Sequence, residues 1–205
     1  MAKLPRGPSA RQEEINRLIV ERALAGQRVA RFKGGDSFVF GRGFEEIEAC
    51  RVAGVPVRVI PGLSSPLAVP ALAGIPVTHR GVAHDFTVVS GHVPPGHDDS
   101  LVDWDAVGRL RGTLLLMMAV ENAPHIAAAL RAAGRPDETP VAVVCDGSMP
   151  GERTVLSTLG ELGADLDRHA VRPPAIIVVG NVVAVAHPEV FEGARTSGGR
   201  AESRP

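Results

Sequence analysis

The chain has 205 residues, with 22 basic and 23 acidic side chains, a formal charge of -1 and 44% apolar residues, the mix of an ordinary globular protein. A charge near zero argues against electrostatic binding of nucleic acid, and six Phe, one Trp and no Tyr leave little for base stacking. The longest uninterrupted apolar run, 114–120, is far short of the ~20 residues of a membrane helix, and the opening MAKLPRGPSARQEE lacks the apolar core of a secretory signal.

Helical and strand patterns then alternate. Ser9 and Gln12 fit a capping box, and Ile15, Leu18, Ile19 and Ala23 recur at helical spacing up to Gly26. Segment 29–32 is a short strand broken by Gly34-Gly35. Segment 45–53 is a helix with acids in its first turn and Gly54 as its stop. Segment 57–60 is a second strand, ended by Pro61-Gly62, and 66–73 a short helix opening with proline. This rhythm marks a parallel sheet with helices on its faces. Residues 74–84 are a candidate hinge. Beyond it come a strand at 86–90, a Gly/Pro/His/Asp-rich loop at 91–100 and a helix at 101–110. A buried strand at 113–118 and a helix at 123–133, stopped by Gly134, follow. Strands at 141–145 and 153–157, a helix at 159–168 and an apolar strand at 175–179 close the ordered part. The polar stretch 188–205 reads as a disordered tail. The expected organisation is one α/β lobe over 1–82, a second over 83–187 and the tail, with ligands between the lobes at strand C-termini.

Every candidate loop follows a strand. In KGGDSFVFGRG (33–43) the paired glycines let the backbone approach a ligand, and Asp36 offers a carboxylate to hydroxyl or ammonium groups. The pattern is neither GxGxxG nor GxxxxGK[ST], so it does not predict dinucleotide or P-loop phosphate binding. Ser64 and Ser65 in PGLSS suit a helix cap better than a ligand on residue type alone. Met117 and Met118 could pack against an adenine, although core filling is the commoner use of such thioethers, and Asp146-Gly147-Ser148 is a turn signal. His92, His97, Asp98 and Asp99 share a loop, yet a solvated loop is favoured over a metal site and HExxH is absent. Cys50 and Cys145 are far apart with no CxxC, which predicts neither a disulfide framework nor a zinc knuckle and agrees with a cytoplasmic protein. Of the 22 basic residues only Lys3 and Lys33 are lysines.

Taken together, QEEIN (12–16), VARFKGGDSFVFGRGFEE (29–46), VIPGLSSPLAVPALAGIPVTHRGVA (59–83), TLLLMMAVEN (113–122), PVAVVCDGS (140–148) and PPAIIVVGNVV (173–183) resemble the uroporphyrinogen-III C-methyltransferases of the tetrapyrrole methylase family in order and spacing. The resemblance runs from about Lys3 to Val185. It implies S-adenosyl-methionine as methyl donor and uroporphyrinogen III as acceptor, with no metal. The product would be precorrin-2, on the way to sirohaem and cobalamin, formed by a cytoplasmic homodimer that engages neither membrane nor nucleic acid. By position, it implies that Gly34, Gly35, Asp36 and Val39 line the methionine and ribose end of the donor, with Ser64 and Ser65 in the hydroxyl-bearing loop. Met118, Gly147 and Ala175 would flank the adenosine, and Lys3 would be the proton donor. Arg42 and Arg80 are candidates, by location, for the carboxylates of the acceptor.

The family's opening strand and its Gly/Pro-rich cofactor loop have no counterpart in these residues, and Ser37 and Phe44 stand where the family has proline and glycine. That strand would lie between 29–32 and 57–60. The expected fold is therefore a two-lobed, tetrapyrrole methylase-like α/β fold, with a truncated first lobe of parallel strands and a complete mixed-sheet second lobe. A non-catalytic remnant that binds cofactor or dimerises is the alternative reading. A sibling methylase acting on a later corrin or on ribosomal RNA is more distant.

Overall fold

A computed structural model describes residues 12–191. The chain forms two compact units that divide between Ser65 and Pro66. The 82/83 boundary expected from the sequence falls inside the second unit, where Ile75 and Ala83 are core residues.

In the first unit, α1 (Gln12–Leu24) and α2 (Gly43–Val52) are joined by polar side chains. Gln12 donates its Nε2 to Asn16 Oδ1 at 3.0 Å and to Glu46 Oε1 at 3.2 Å, and Asn16 Nδ2 reaches the Glu45 carbonyl at 3.4 Å. Ser9, its expected capping-box partner, lies outside the described residues. The two strands predicted at 29–32 and 57–60 do not form: among the described residues neither joins a ladder. Strand propensity expresses a fit to a paired, half-buried surface. Without a pairing partner these segments leave their apolar side chains in solvent, with Phe32 90% and Ile60 76% exposed.

The second unit is a three-layer α/β/α arrangement around a mixed five-stranded sheet. Its strands are β1 (Phe86–Ser90), β2 (Thr113–Met117), β3 (Pro140–Cys145), β4 (Arg153–Thr158) and β5 (Ala175–Val179), in spatial order β1-β2-β5-β3-β4. β1 and β2 are parallel, whereas β5 runs antiparallel to both β2 and β3, and β4 antiparallel to β3. Alternation along the buried strands divides the core. Leu114, Leu116, Val141, Val143, Ile177 and Val179 pack against one helical layer, built from α4 (Trp104–Arg109), α5 (Ala123–Ala132) and α6 (Leu162–Arg168). Leu115, Ala142, Val144, Ile176 and Val178 pack against the other, which includes Val69 of α3 (Ser65–Leu72) and Val182 and Val183 of α7 (Val182–Ala186). Ordered structure therefore continues beyond 179, through α7 to α8 (Pro188–Phe191), whose Phe191 is buried. The tail expected from 188 is thus helical over its first four residues, and 192–205 lie outside the described residues.

The end of β1 is tightly built. Gly91 N–H donates to the Met117 carbonyl at 2.8 Å, extending the ladder, and a Cβ on Gly91 would stand 2.6 Å from Ala119 Cβ and 2.7 Å from Ile126 Cδ1. Gly91→Ala is expected to destabilise the protein by ~1–3 kcal/mol, the usual cost of overpacking a core. Urea denaturation of the full chain measures this, and an unchanged midpoint and slope would show that the contact relaxes freely.

Candidate active site

The first unit builds its loop from backbone contacts. Asp36 N–H donates to the Leu63 carbonyl at 2.9 Å, joining the GGD turn to the loop that contains Ser64 and Ser65. The Asp36 carboxylate accepts from Phe38 N–H at 2.9 Å through Oδ1 and from Gly62 N–H at 3.2 Å through Oδ2. These two donors, Phe38 first, hold its pKa below the ordinary carboxylate value, so the group stays ionised. Gly35 has φ +137°, a region open to glycine, and a Cβ on Gly34 would meet only open space. The turn then closes on Ser37, whose carbonyl accepts from Gly43 N–H at 2.9 Å. A Cβ on either Gly41 or Gly43 would come within 2.6 Å of that same oxygen. Phe44 faces solvent, and Val39 is partly exposed on the loop.

Ser64 and Ser65 do not cap α3 as their residue type suggests: neither hydroxyl makes a hydrogen bond among the described residues. Both are open to a ligand.

In the second unit, register alone brings three candidates together. Ser90 pairs with Met117, Met117 with Ile176 and Cys145 with Ala175, so β1, β2 and β3 end on the side of the sheet where β5 begins. Met118, Ala175 and Asp146-Gly147 therefore share one rim, and Asp146 N–H is tied to the Pro174 carbonyl at 3.0 Å. Met118 is 48% exposed, so its thioether is available at the surface and does not fill the core. A Cβ on Gly147 would lie 2.5 Å from Val69 Cγ1, so this glycine is required by packing as well as suited to a ligand.

Backbone strain marks both loops. Phe40 and Arg42 in the first unit have φ 52° and 57°, and Met118, Asp146 and Ser148 on the rim have 52°, 50° and 69°. Such conformations cost non-glycine residues about 1–3 kcal/mol each and gather at functional sites. Nothing in the residue types announces them.

The charged candidates separate. Arg42 is paired in a fork with Glu45, at 2.7 and 2.6 Å, which raises its pKa. Arg80 sits exposed at the turn closed by the His79–Ala83 bridge, with no ion pair among the described residues. Lys3 lies outside the described residues. Among the described residues no group of three or more His, Cys, Asp and Glu could hold a metal, and His97 Nδ1 accepts from Asp99 N–H at 3.1 Å within its own turn. The residue that pattern reading passed over is Glu46, a buried carboxylate that accepts from Gln12, Arg31 and Lys33. Its only signal in the sequence was a place among the first-turn acids of a helix.

Residues 1–163 match the family described as tetrapyrrole (corrin/porphyrin) methylases. The chain belongs to this family. It is 43% identical over 178 residues to a uroporphyrinogen-III C-methyltransferase of Methanocaldococcus jannaschii, covering 86% of this chain and 73% of that protein. It is also 43% identical over 186 residues to a sirohaem synthase of Xylella fastidiosa, covering 91% of this chain and 39% of the other. The chain thus spans less than half of that relative's length. A uroporphyrin-III C-methyltransferase structure from Thermus thermophilus, complexed with S-adenosyl-homocysteine, superposes with a TM-score of 0.73 at 41% identity, over 85% of this chain and 75% of that one. The methylase residues fit a donor of this kind. Asp36 is ionised with acceptor capacity to spare, Gly34 leaves room for close approach, and Met118 presents a soft apolar surface.

The bonds to Asp36 carry a pH signature. Its folded pKa is lowered, so its contribution to loop order is complete above the ordinary carboxylate value and is lost as pH falls through the lower, folded value. The amide resonances of Phe38 and Gly62 are expected to titrate together with a midpoint below about 3.9, and Asp36→Asn is expected to abolish the transition. A midpoint at or above the ordinary value would remove the two hydrogen bonds from the account.

Proposed function

We propose that this chain carries out S-adenosyl-methionine-dependent C-methylation of uroporphyrinogen III, yielding precorrin-2. The observation that carries the reading is the Asp36 turn, which keeps an ionised carboxylate close to the open backbone of Gly34 in a chain of this family.

When bound, the donor supplies a methyl group on a sulfonium, already electrophilic enough to react with an electron-rich pyrrole carbon. The protein's residues then have to bind, orient and manage protons. Asp36 uses one lone pair of each oxygen on its own backbone and keeps others for hydroxyl or ammonium groups of the donor. Gly34, Gly35 and Val39 allow the methionine and ribose end to lie along the loop, and the free hydroxyls of Ser64 and Ser65 add donors. Met118, Gly147 and Ala175 take the adenosine at the rim of the sheet. The new C–C bond forms as the methyl–sulfur bond breaks, S-adenosyl-homocysteine leaves, and the cationic macrocycle must then lose a proton. A proton that Lys3 supplies to one ring position is therefore matched by one lost from another, beyond the one that restores neutrality. Arg80, unpaired among the described residues, is the better placed of the two arginines to meet an acceptor carboxylate. Arg42 must first leave Glu45.

The same proposal includes a homodimer working in the cytoplasm, with sirohaem or cobalamin as the destination of the product. Cys50 and Cys145 are free and buried, which agrees with a reducing compartment. No helix among the described residues is long and apolar enough to cross a membrane.

Incubating the full chain with uroporphyrinogen III and S-adenosyl-methionine is expected to transfer two methyl groups per acceptor, read by mass. Lys3→Ala should slow transfer by roughly 10²-fold or more while leaving donor affinity unchanged in calorimetry. Donor binding without any transfer would favour a non-catalytic binder instead, and equal losses in both measurements would take the proton role from Lys3.

A further inference from the structure

The side chain of Glu46 is only 8% exposed, and its carboxylate accepts four hydrogen bonds. Lys33 Nζ lies 3.1 Å from each of its oxygens, and Oε1 also accepts from Arg31 Nε at 3.2 Å and Gln12 Nε2 at 3.2 Å. Lys33 is 12% exposed, and its only acidic partner among the described residues is Glu46. One carboxylate thus gathers α1, α2 and the segment that leads into the GGD turn.

The position of Lys33 in the chain gives this cluster its reach. The next two residues are Gly34 and Gly35, which have no side chains to anchor them, and a Cβ on Gly34 would touch nothing within 4 Å. Among the described residues, the hydrogen bonds and ion pairs that hold the turn are therefore at its ends. On the far side Asp36 is held by Leu63, Phe38 and Gly62. On the near side the pin is the Lys33–Glu46 pair. Lys33 is only partly buried, but its partner Glu46 is buried, and taking the ammonium away would leave that carboxylate without its closest cation.

We propose that Glu46 is a positioning residue: acting through Lys33, its buried carboxylate holds the Gly34–Asp36 turn in the shape that accepts the methyl donor. This rests on the reading of that turn as the donor site. Glu46 touches neither donor nor acceptor in this assignment, and its effect is carried by the backbone of the two glycines.

The test uses the full chain carrying Glu46→Gln, Lys33→Met or both, with Asp36→Ala as the reference. Glu46→Gln preserves shape and removes only the charge. It is expected to fold cooperatively, to weaken binding of S-adenosyl-homocysteine about tenfold at unchanged stoichiometry in calorimetry, and to speed amide exchange over 34–38 in ligand-free protein while exchange in β2, β3 and β5 stays the same. The double variant should lose no more affinity than Glu46→Gln, since the only acidic partner of Lys33 among the described residues is Glu46. A lowered stability with unchanged affinity and unchanged exchange at 34–38 would make Glu46 merely structural and overturn the proposal. If Asp36→Ala also leaves binding unchanged, the donor-site reading itself fails, and exchange at 34–38 still decides whether Glu46 holds the turn.

Discussion

The second unit depends on one constraint: β2, β5 and β3 are buried on both faces, so each side chain is committed to one of two helical layers. A slip of one residue in β2 would send Leu114 and Leu116 to the face that now holds Leu115, and a slip in β5 or β3 would do the same to Ile177 or Val143, exchanging every contact of that strand at once. Register is therefore set by the core. Because the core sets it, the positions of the strand ends are also set. Met118, Asp146-Gly147 and Ala175 meet on one rim since Met117 faces Ile176 and Cys145 faces Ala175.

The first unit solves the same problem by different means. It has no ladder among the described residues, and its loop is positioned by charge and backbone hydrogen bonds. The Asp36 carboxylate organises the turn from one end and the Glu46 cluster from the other. Electrostatic pins of this kind suit a glycine pair, which has no side chains of its own to hold it. The two units thus place their candidate site residues with opposite tools, packing in one and polar contacts in the other.

Much of the helix and strand pattern in the second unit was legible because its signals are local. Alternation in TVLST, the apolar runs TLLLM and AIIVV, and Gly134 after a helix each state their structure within a few residues. The failures have a common cause. Segments 29–32 and 57–60 carry strand residues, yet a strand exists only as half of a pair. The seryl hydroxyls of PGLSS suit a cap, but among the described residues neither makes the capping hydrogen bond. The helix Val182–Ala186 was missed because its short apolar run VVAVA continues the character of the strand before it.

The linear order of residues was enough for the resemblance to the family, and its local patterns for the strand–loop–helix rhythm of the second unit and the loops that follow its strands, since those patterns rest on nearest neighbours or on spacing. Tertiary structure alone decided that Arg42 is occupied by Glu45 while Arg80 is unpaired among the described residues, that Ser64 and Ser65 are free, and that Glu46 closes over Lys33. The reason is physical: the strength of a charge or a hydroxyl depends on the group that faces it and on the water excluded around it. Lys33 and Glu46 are 13 residues apart in the chain and 3.1 Å apart in space.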